Sequence, residues 1–332
     1  MLGKLKLENR IEVAPMCQYS AIDGCAQDWH LIHLGNHALS GAGLLILEAT
    51  AVSPEGRITP GDLGLYSDAN QTALNRTIGA IAKYARVPLV IQLAHAGRKA
   101  SSCVPWEGGA QIRPHDPVGW KACAPSALPH GDGEDVPQAL DEAGLAKVRD
   151  DFAASARRAV ARGLRGVEVH MAHGYLLHQF LSPIANQRTD TYGGSLKNRM
   201  RFPLEVFDAV KAAVPEDVPV WVRVSATDWV SGSWDVEDTI ALCRLLKDRG
   251  CAAVHVSSGG VSPQQQIPLS DGYQVPLAAR VKSETGLPTI AVGLITSPAH
   301  AEAILEDGDA DAIALARGML YDPRWPWHAA AE

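Results

Sequence analysis

Residues 170 to 175 read His-Met-Ala-His-Gly-Tyr. Two histidines three residues apart, leaving an apolar run, can both reach one cavity, and the tyrosine two further on can deliver a proton there. Imidazole and phenol are good hydrogen-bond donors to a carbonyl oxygen, and a positioned phenol is a competent general acid. His170, His173 and Tyr175 also have other readings. Each histidine can be a satisfied structural residue, or the pair can bind a metal with His178 nearby. The metal reading lacks its usual companions: there is no His-Glu-x-x-His, and no carboxylate falls inside the segment as a third ligand.

Cys17 is the next candidate, within Pro15-Met16-Cys17-Gln18-Tyr19. A buried cysteine is usually a small apolar filler, whereas one at the mouth of a barrel can touch a cofactor. Nucleophilic catalysis by Cys17 has no Cys/His/Asn signature behind it. His30, His33 and His37 are spaced as one face of a helix, and metal binding by them is the minority reading.

The elements that must position these residues follow a repeated pattern. Short apolar runs recur at Ile11–Met16, Leu44–Glu48, Leu89–Gln92, Gly166–His170, Val220–Val224, Ala253–Ser257, Thr289–Val292 and Ala312–Ala316. They are rich in Val, Ile and Leu without clean alternation, as expected of parallel strands buried on both faces. Helical stretches lie between them: Asp68–Ala85, Asp141–Arg162, Ser195–Ala213, Asp235–Arg249, Val275–Thr285 and Ser297–Glu306, several running into Gly163, Gly250, Gly286 or Gly308. Eight such units predict an α/β fold, a (β/α)8 TIM barrel. A doubly wound sheet is disfavoured because no Gly-x-Gly-x-x-Gly follows the first run. A long irregular segment rich in Gly, Pro, Ser and Asp, about residues 94 to 138, follows the third strand and is expected to shape an active site. No internal repeat or linker divides the chain, so residues 1–332 are expected to form one domain.

Barrel chemistry sits at the C-terminal ends of the strands. Those ends carry Cys17, Ala49, Gln92, His170, Arg223, Ser257, Gly293 and Arg317. An amide, two arginines and a histidine among small residues suit a ligand with several acceptors and an anionic tail. Gly293 and Arg317-Gly318, after the seventh and eighth runs, are where barrels often bind phosphate; the rival reading of Arg317 is a surface ion pair worth little.

With 46% apolar and 20% charged residues among 332, the chain has the make-up of an ordinary globular protein. A net charge of −7 argues against a nucleic-acid or anionic-membrane surface. No apolar run approaches the ~20 residues that span a bilayer, and the charged start, Met1 to Arg10, lacks a signal-peptide core. Six scattered cysteines without a Cys-x-x-Cys pair fit a reduced, cytoplasmic setting.

The order of motifs resembles the Old Yellow Enzymes, in particular the bacterial branch of thermophilic-like ene-reductases and xenobiotic reductases. The matching stretches are Asn9-Arg10-Ile11 through Tyr19, Glu48–Val52, Gly56–Thr59, Gln92–Lys99, Ala124–Ser126, His170–Tyr175, Arg188-Thr189-Asp190, Tyr192–Ser195 with Asn198-Arg199, Arg223-Val224-Ser225, and Ala316–Gly318 with Asp322-Pro323. They cover nearly the whole chain in order. The resemblance implies noncovalent FMN in a barrel mouth, with NADPH as reductant and NADH as the alternative donor. It implies that Ala14, Pro15, Met16, Cys17 and Ala49 line the flavin, with Cys17 tuning its potential. Gln92 would meet the pyrimidine edge, Arg223 the charge near N1, and Gly293, Ala316 and Arg317 the phosphate. His170 and His173 would grip a carbonyl or nitro oxygen, Tyr19 would contact substrate, and Tyr175 would be the proton donor. Lys99 falls in a matching motif and receives no role. The implied reaction is reduction of an activated C=C bond in a small α,β-unsaturated substrate, and the implied assembly is a homodimer or homotetramer.

Some positions depart from the family pattern. Ala316 stands where Gly is frequent, which leaves the backbone N–H in place. The lead-in before Leu2 and a C-terminal Arg or Trp that reaches a neighbouring site are absent from this sequence, which puts a shared-site dimer in question. The competing readings are a metal-assisted barrel lyase or hydrolase using His170 and His173, and a non-catalytic flavin sensor centred on Cys17. A dienoyl-reductase-like iron–sulfur site has no clustered cysteines to hold it.

Overall fold

The structure, a computed structural model, describes residues 2–332. Eight parallel strands close into a barrel in chain order: Ile11–Val13, Leu44–Ala51, Leu89–Ala94, Val167–Met171, Val220–Ser225, Val254–Ser257, Thr289–Ala291 and Ala312–Leu315. The last strand pairs with the first through Ile11 opposite Ile313, which completes the ring. Seven of the eight strands are buried along their whole length, and this is why their sequences lack alternation.

Two strand limits differ from expectation in ways that matter for the site. The first strand ends at Val13 rather than Met16. Ala14 N still donates to Leu315 O at 2.9 Å, but Pro15 has no N–H to continue the ladder. Ala14 to Cys17 therefore leave the barrel as a loop. The second strand runs on to Ala51, with a register slip between Leu47 and Ala49. Ala49 thus lies inside the strand rather than at its end.

Helices cover the barrel from outside, and their starts are set by side-chain caps. Asp141 accepts from Gly144 N at 2.8 Å, Asp235 from Glu237 N at 2.9 Å and Ser195 from Asn198 N at 3.3 Å; a cap of this kind is worth about 1 kcal/mol. The helix Glu142–Val160 buries Leu145, Val148, Phe152, Ala156 and Ala159, a stripe at helical spacing. Phe152 is fully buried, which contributes roughly 2–3 kcal/mol. The helix beginning at Asp68 ends at Ile81, four residues before the expected Ala85. Gly286 closes the helix Val275–Thr285 with φ of 65°.

The irregular segment after the third strand holds only short 3-10 turns, at Gly97–Lys99 and Pro105–Glu107, and a two-residue strand, Cys123–Ala124, paired with Gln138–Ala139. It returns to the barrel mouth, where Ser102, Cys103, Gln111, His130 and Glu134 line a cavity shared with Tyr175. Among the described residues no helix is long and apolar enough to cross a membrane.

Candidate active site

The fourth strand ends at Met171, with His170 directly opposite Arg223 of the fifth. The chain then turns through His173 and Gly174, with φ of 58° and 72°. This turn brings the three aromatic candidates together. His170 and His173 meet edge to face with ring centroids 5.1 Å apart, and His170 and Tyr175 do the same at 5.0 Å.

Four side chains hold the turn by its backbone. His173 N donates to Ser225 Oγ at 2.9 Å, and His173 O accepts from Lys99 Nζ at 3.0 Å. Gly174 N donates to His178 Nδ1 at 2.8 Å, and Gly174 O accepts from Gln179 Nε2 at 2.6 Å. A left-handed non-glycine residue costs free energy, and these contacts fix it. Across the mouth Gly260 faces the same turn. A Cβ on Gly174 would lie 2.0 Å from Gly260 O, and one on Gly260 would lie 2.5 Å from His173 C. Only glycine allows the two loops this approach.

The protonation pattern follows from the surroundings. Burial, reinforced by Arg223, holds both His170 and His173 well below the usual imidazole range, so both are neutral near pH 7. His170 Nδ1 accepts from Ala172 N at 3.2 Å, which leaves its proton on Nε2. His173 Nε2 is 2.7 Å from Ser257 Oγ. Burial also pushes the Tyr175 phenol well above its ordinary value, with Cys17 and Tyr19 adding to the effect, so the phenol keeps its proton.

Tyr19 shares a cavity with Tyr175, and Cys17 lies close enough to raise the same phenol while lining a neighbouring cleft with Trp29, His33 and Trp106. Burial raises the Cys17 thiol, helped by Asp62 and Glu48, so it is a thiol rather than a thiolate. Tyr19 packs edge to face on Trp106 at 5.6 Å. Tyr19, Arg98, Lys99, His130 and Tyr175 border a cavity of about 250 Å³. Lys99 Nζ also reaches Gly260 O at 3.1 Å and lies 5.2 Å from the Tyr175 ring centre. Burial and neighbouring Arg98 push its amine down to about 8.

A second cleft, of about 220 Å³, is bordered by Arg223, Ser257, Gln274, Gly293, Ala316 and Arg317. Arg223 is buried and its Nε has no partner, an arrangement that favours an anionic or acceptor-rich ligand over an empty apolar wall. Beneath it lies Glu168, fully buried. Glu168 accepts from Gln92 Nε2 at 2.6 Å and Trp221 Nε1 at 2.8 Å, and lies 2.9 Å from His255 Nδ1. Burial opposes its charge, but His255, Arg223 and Trp221 outweigh that and hold it at about 2. Glu168 thereby fixes the Gln92 amide, with the carbonyl oxygen and one N–H left over.

The sequence-predicted residues fall into neighbouring groups. His170, His173 and Tyr175 pack together with Tyr19 across one cavity, Cys17 lines the cleft next to Trp106, and Gly293, Ala316, Arg317 and Arg223 form the cleft beside them. Gln92 meets the floor through Glu168, and Ala14, Pro15 and Met16 form the loop leading to Cys17. His30, His33 and His37 lie on the helix Asp28–Ala38. His30 Nδ1 accepts from Gln27 N, and the His33 and His37 rings pack at 4.6 Å. Among the described residues no group of three or more His, Cys, Asp or Glu is arranged to hold a metal. Sequence reasoning missed Gln274, Glu168 and His255 and gave Lys99 no role. A glutamate inside the apolar run Val167–Met171 was the available signal for Glu168.

The model of the NADH:flavin oxidoreductase / NADH oxidase family matches residues 1–332. A NADH:flavin oxidoreductase of Gibberella zeae is 44% identical over 332 residues, covering 95% of this chain and 80% of the relative. A NADPH dehydrogenase of Geobacillus thermodenitrificans is 42% identical, covering 99% and 91%. The chain belongs to the Old Yellow Enzyme family. Solved Old Yellow Enzyme structures agree: that from Trypanosoma cruzi superposes with a TM-score of 0.82 at 26% identity, covering 99% of this chain and 90% of the other. Morphinone reductase superposes at 0.81 with 30% identity, covering 99% and 87%. This Old Yellow Enzyme is therefore an oxidoreductase of the NADPH dehydrogenase type, with FMN as cofactor and a reduced nicotinamide as donor.

Proposed function

We propose that the protein is an ene-reductase, reducing the activated C=C bond of small α,β-unsaturated carbonyl or nitro compounds. The observation that carries this reading is the packing of two neutral imidazoles and a protonated phenol around one point of the mouth. Flavin binding alone has no need of a proton donor.

The orphaned Arg223 Nε and the partly used Gln92 amide fit an acceptor-rich ring system. Ala14, Pro15, Met16, Cys17 and Ala49 would line FMN, Gln92 and Arg223 would meet its polar edge, and Gly293, Ala316 and Arg317 would hold the phosphate. FMN held there would supply the hydride chemistry, with NADPH as the source of the hydride and the substrate's β-carbon as its destination. His170 donates through Nε2 to the substrate oxygen, and His173 binds the same oxygen. These bonds strengthen as negative charge develops there. Tyr175 then delivers its proton to the α-carbon, and Tyr19 closes the other side of the substrate.

The test is an anaerobic absorption experiment with cyclohexenone. The FMN-loaded protein should bleach on addition of NADPH and regain its colour with the enone. Bleaching without recovery would reduce the reading to a NADPH:flavin oxidoreductase with no ene-reductase step.

A further inference from the structure

The contact that holds Gly174 N continues into the protein. His178, on the short helix Leu176–Leu181, accepts that N–H on Nδ1, so its own proton sits on Nε2. Nε2 lies 2.8 Å from Asp228 Oδ1 in a bent contact, and neither atom has another partner. Both side chains are completely buried. The second oxygen, Oδ2, accepts from the hydroxyls of Ser182 and Ser233 and from Trp234 N at 3.2 Å. Burial works against the Asp228 charge, but His178, Ser182 and Ser233 outweigh it and hold the carboxyl below its ordinary value.

We propose that Asp228 and His178 are a positioning pair. Asp228 selects the His178 tautomer whose Nδ1 accepts from Gly174, and that bond sets where His173 and Tyr175 stand. The Asp228 charge is also felt by Arg98 and Arg199, but neither makes a hydrogen bond to it. Three donors at Oδ2 would satisfy a neutral carbonyl equally well; among the groups in direct contact, only the histidine at Oδ1 calls for a second acceptor.

This argument makes an isosteric substitution decisive. In Asp228→Asn the three donors claim the amide oxygen, and the NH2 group must face His178 Nε2. His178 then has to accept on Nε2 and carry its proton on Nδ1, where it opposes the Gly174 N–H. The turn loses one of its four holds with no change in side-chain volume.

The experiment is 15N NMR of histidine-labelled, FMN-loaded protein, with the His178 signals identified by their loss in His178→Gln, together with cyclohexenone turnover. The turnover arm rests on the ene-reductase reading, and the tautomer arm does not. Asp228→Asn should switch His178 from the Nε2–H to the Nδ1–H form. It should lower kcat between roughly ten- and hundredfold, as expected for a displaced catalytic group, with full FMN content. A pair serving only stability would lower the melting temperature and leave both tautomer and kcat in place, and that result overturns the proposal. An unswitched tautomer, or a switched tautomer with wild-type kcat, overturns it as well. If wild-type protein fails to reduce the enone, the ene-reductase reading fails, while the tautomer still decides the selection step. Should Asp228→Asn not fold, His178→Asn, whose carbonyl can accept from Gly174, should retain at least tenfold more turnover than His178→Leu; equal turnover counts against the pair.

Discussion

The Tyr175 phenol stands against the edge of His170, with ring centroids 5.0 Å apart and planes at 86°. One residue carries a proton that burial makes hard to lose, and the other is an imidazole that burial keeps neutral. Tyr175→Phe keeps that packing and removes only the hydroxyl. Alkene reduction should slow on the order of 10²- to 10⁴-fold, the usual contribution of a general acid. Flavin reduction by NADPH should stay within a few-fold of wild type. Stopped-flow measurement of the two half-reactions separates them, and unchanged enone reduction would remove Tyr175 as the acid.

Lys99 ties His173 O to Gly260 O through one ammonium group. Its amine is pushed down to about 8, so the charge is present below that pH and lost above it. Enone turnover should therefore hold steady toward neutral pH and decline above about 8. Lys99→Arg, whose guanidinium stays charged, should carry turnover further into the alkaline range even if its peak is lower. An alkaline limb that Lys99→Arg leaves in place would show that another group controls it.

Much of this arrangement was legible in the sequence. Buried parallel strands announce themselves by apolar runs such as Val220–Val224, and caps such as Asp141 and Asp235 mark helix starts directly. That His170, His173 and Tyr175 meet at one place was readable because strand-end spacing and residue type point the same way. Less legible were features that depend on contacts across the chain. Glu168 binds residues from the third, fifth and sixth strands, and Lys99 bridges two loops more than 70 residues away. The early end of the first strand depends on the N–H that Pro15 lacks, two residues beyond Val13, and the bulge beside Ala49 depends on the neighbouring strand's register. No periodicity in one segment encodes such pairings.

Glu168 places a buried negative charge beneath the cleft and fixes Gln92. Glu168→Gln removes that charge and lets the Gln92 amide turn over. The potential of bound FMN should become less negative, because reduced flavin no longer competes with a nearby carboxylate. FMN should also bind more weakly. Both are read without turnover, by dye-linked reduction and by fluorescence titration. An unmoved potential would place the Glu168 charge outside the flavin's reach.

Gly174→Ala tests the close approach of the two mouth loops. Its methyl group would lie 2.0 Å from Gly260 O at a φ of 72°, so the backbone must move. Strain of about 1–3 kcal/mol is expected, seen as a lower melting temperature. Turnover should fall by more than tenfold, because His173 and Tyr175 flank the displaced residue. Wild-type activity with lowered stability would mean that the turn can shift without disturbing the aromatic cluster.

The histidines make a further prediction about acid stability. Burial is the first cause that lowers His30, His33, His37, His95, His130, His170, His173 and His255 below the ordinary imidazole value. A group lowered in this way stays neutral in the fold while the unfolded chain takes up its proton. Stability is thus fully present above the unfolded value of about 6.5 and is lost as pH falls below it. For a fully buried histidine the loss is up to about 1.4 kcal/mol per pH unit. Carboxyls raised by burial, such as Glu48 at about 8 and Asp62 at about 6, act in the opposite sense. The eight histidines outnumber the raised carboxyls. The melting temperature should accordingly drop as pH falls from 6.5 toward 4, where His33, His95 and His130 reach their own lowered values. Calorimetry across that range checks it, and a melting temperature that holds or rises down to pH 5 would show that the raised carboxyls dominate.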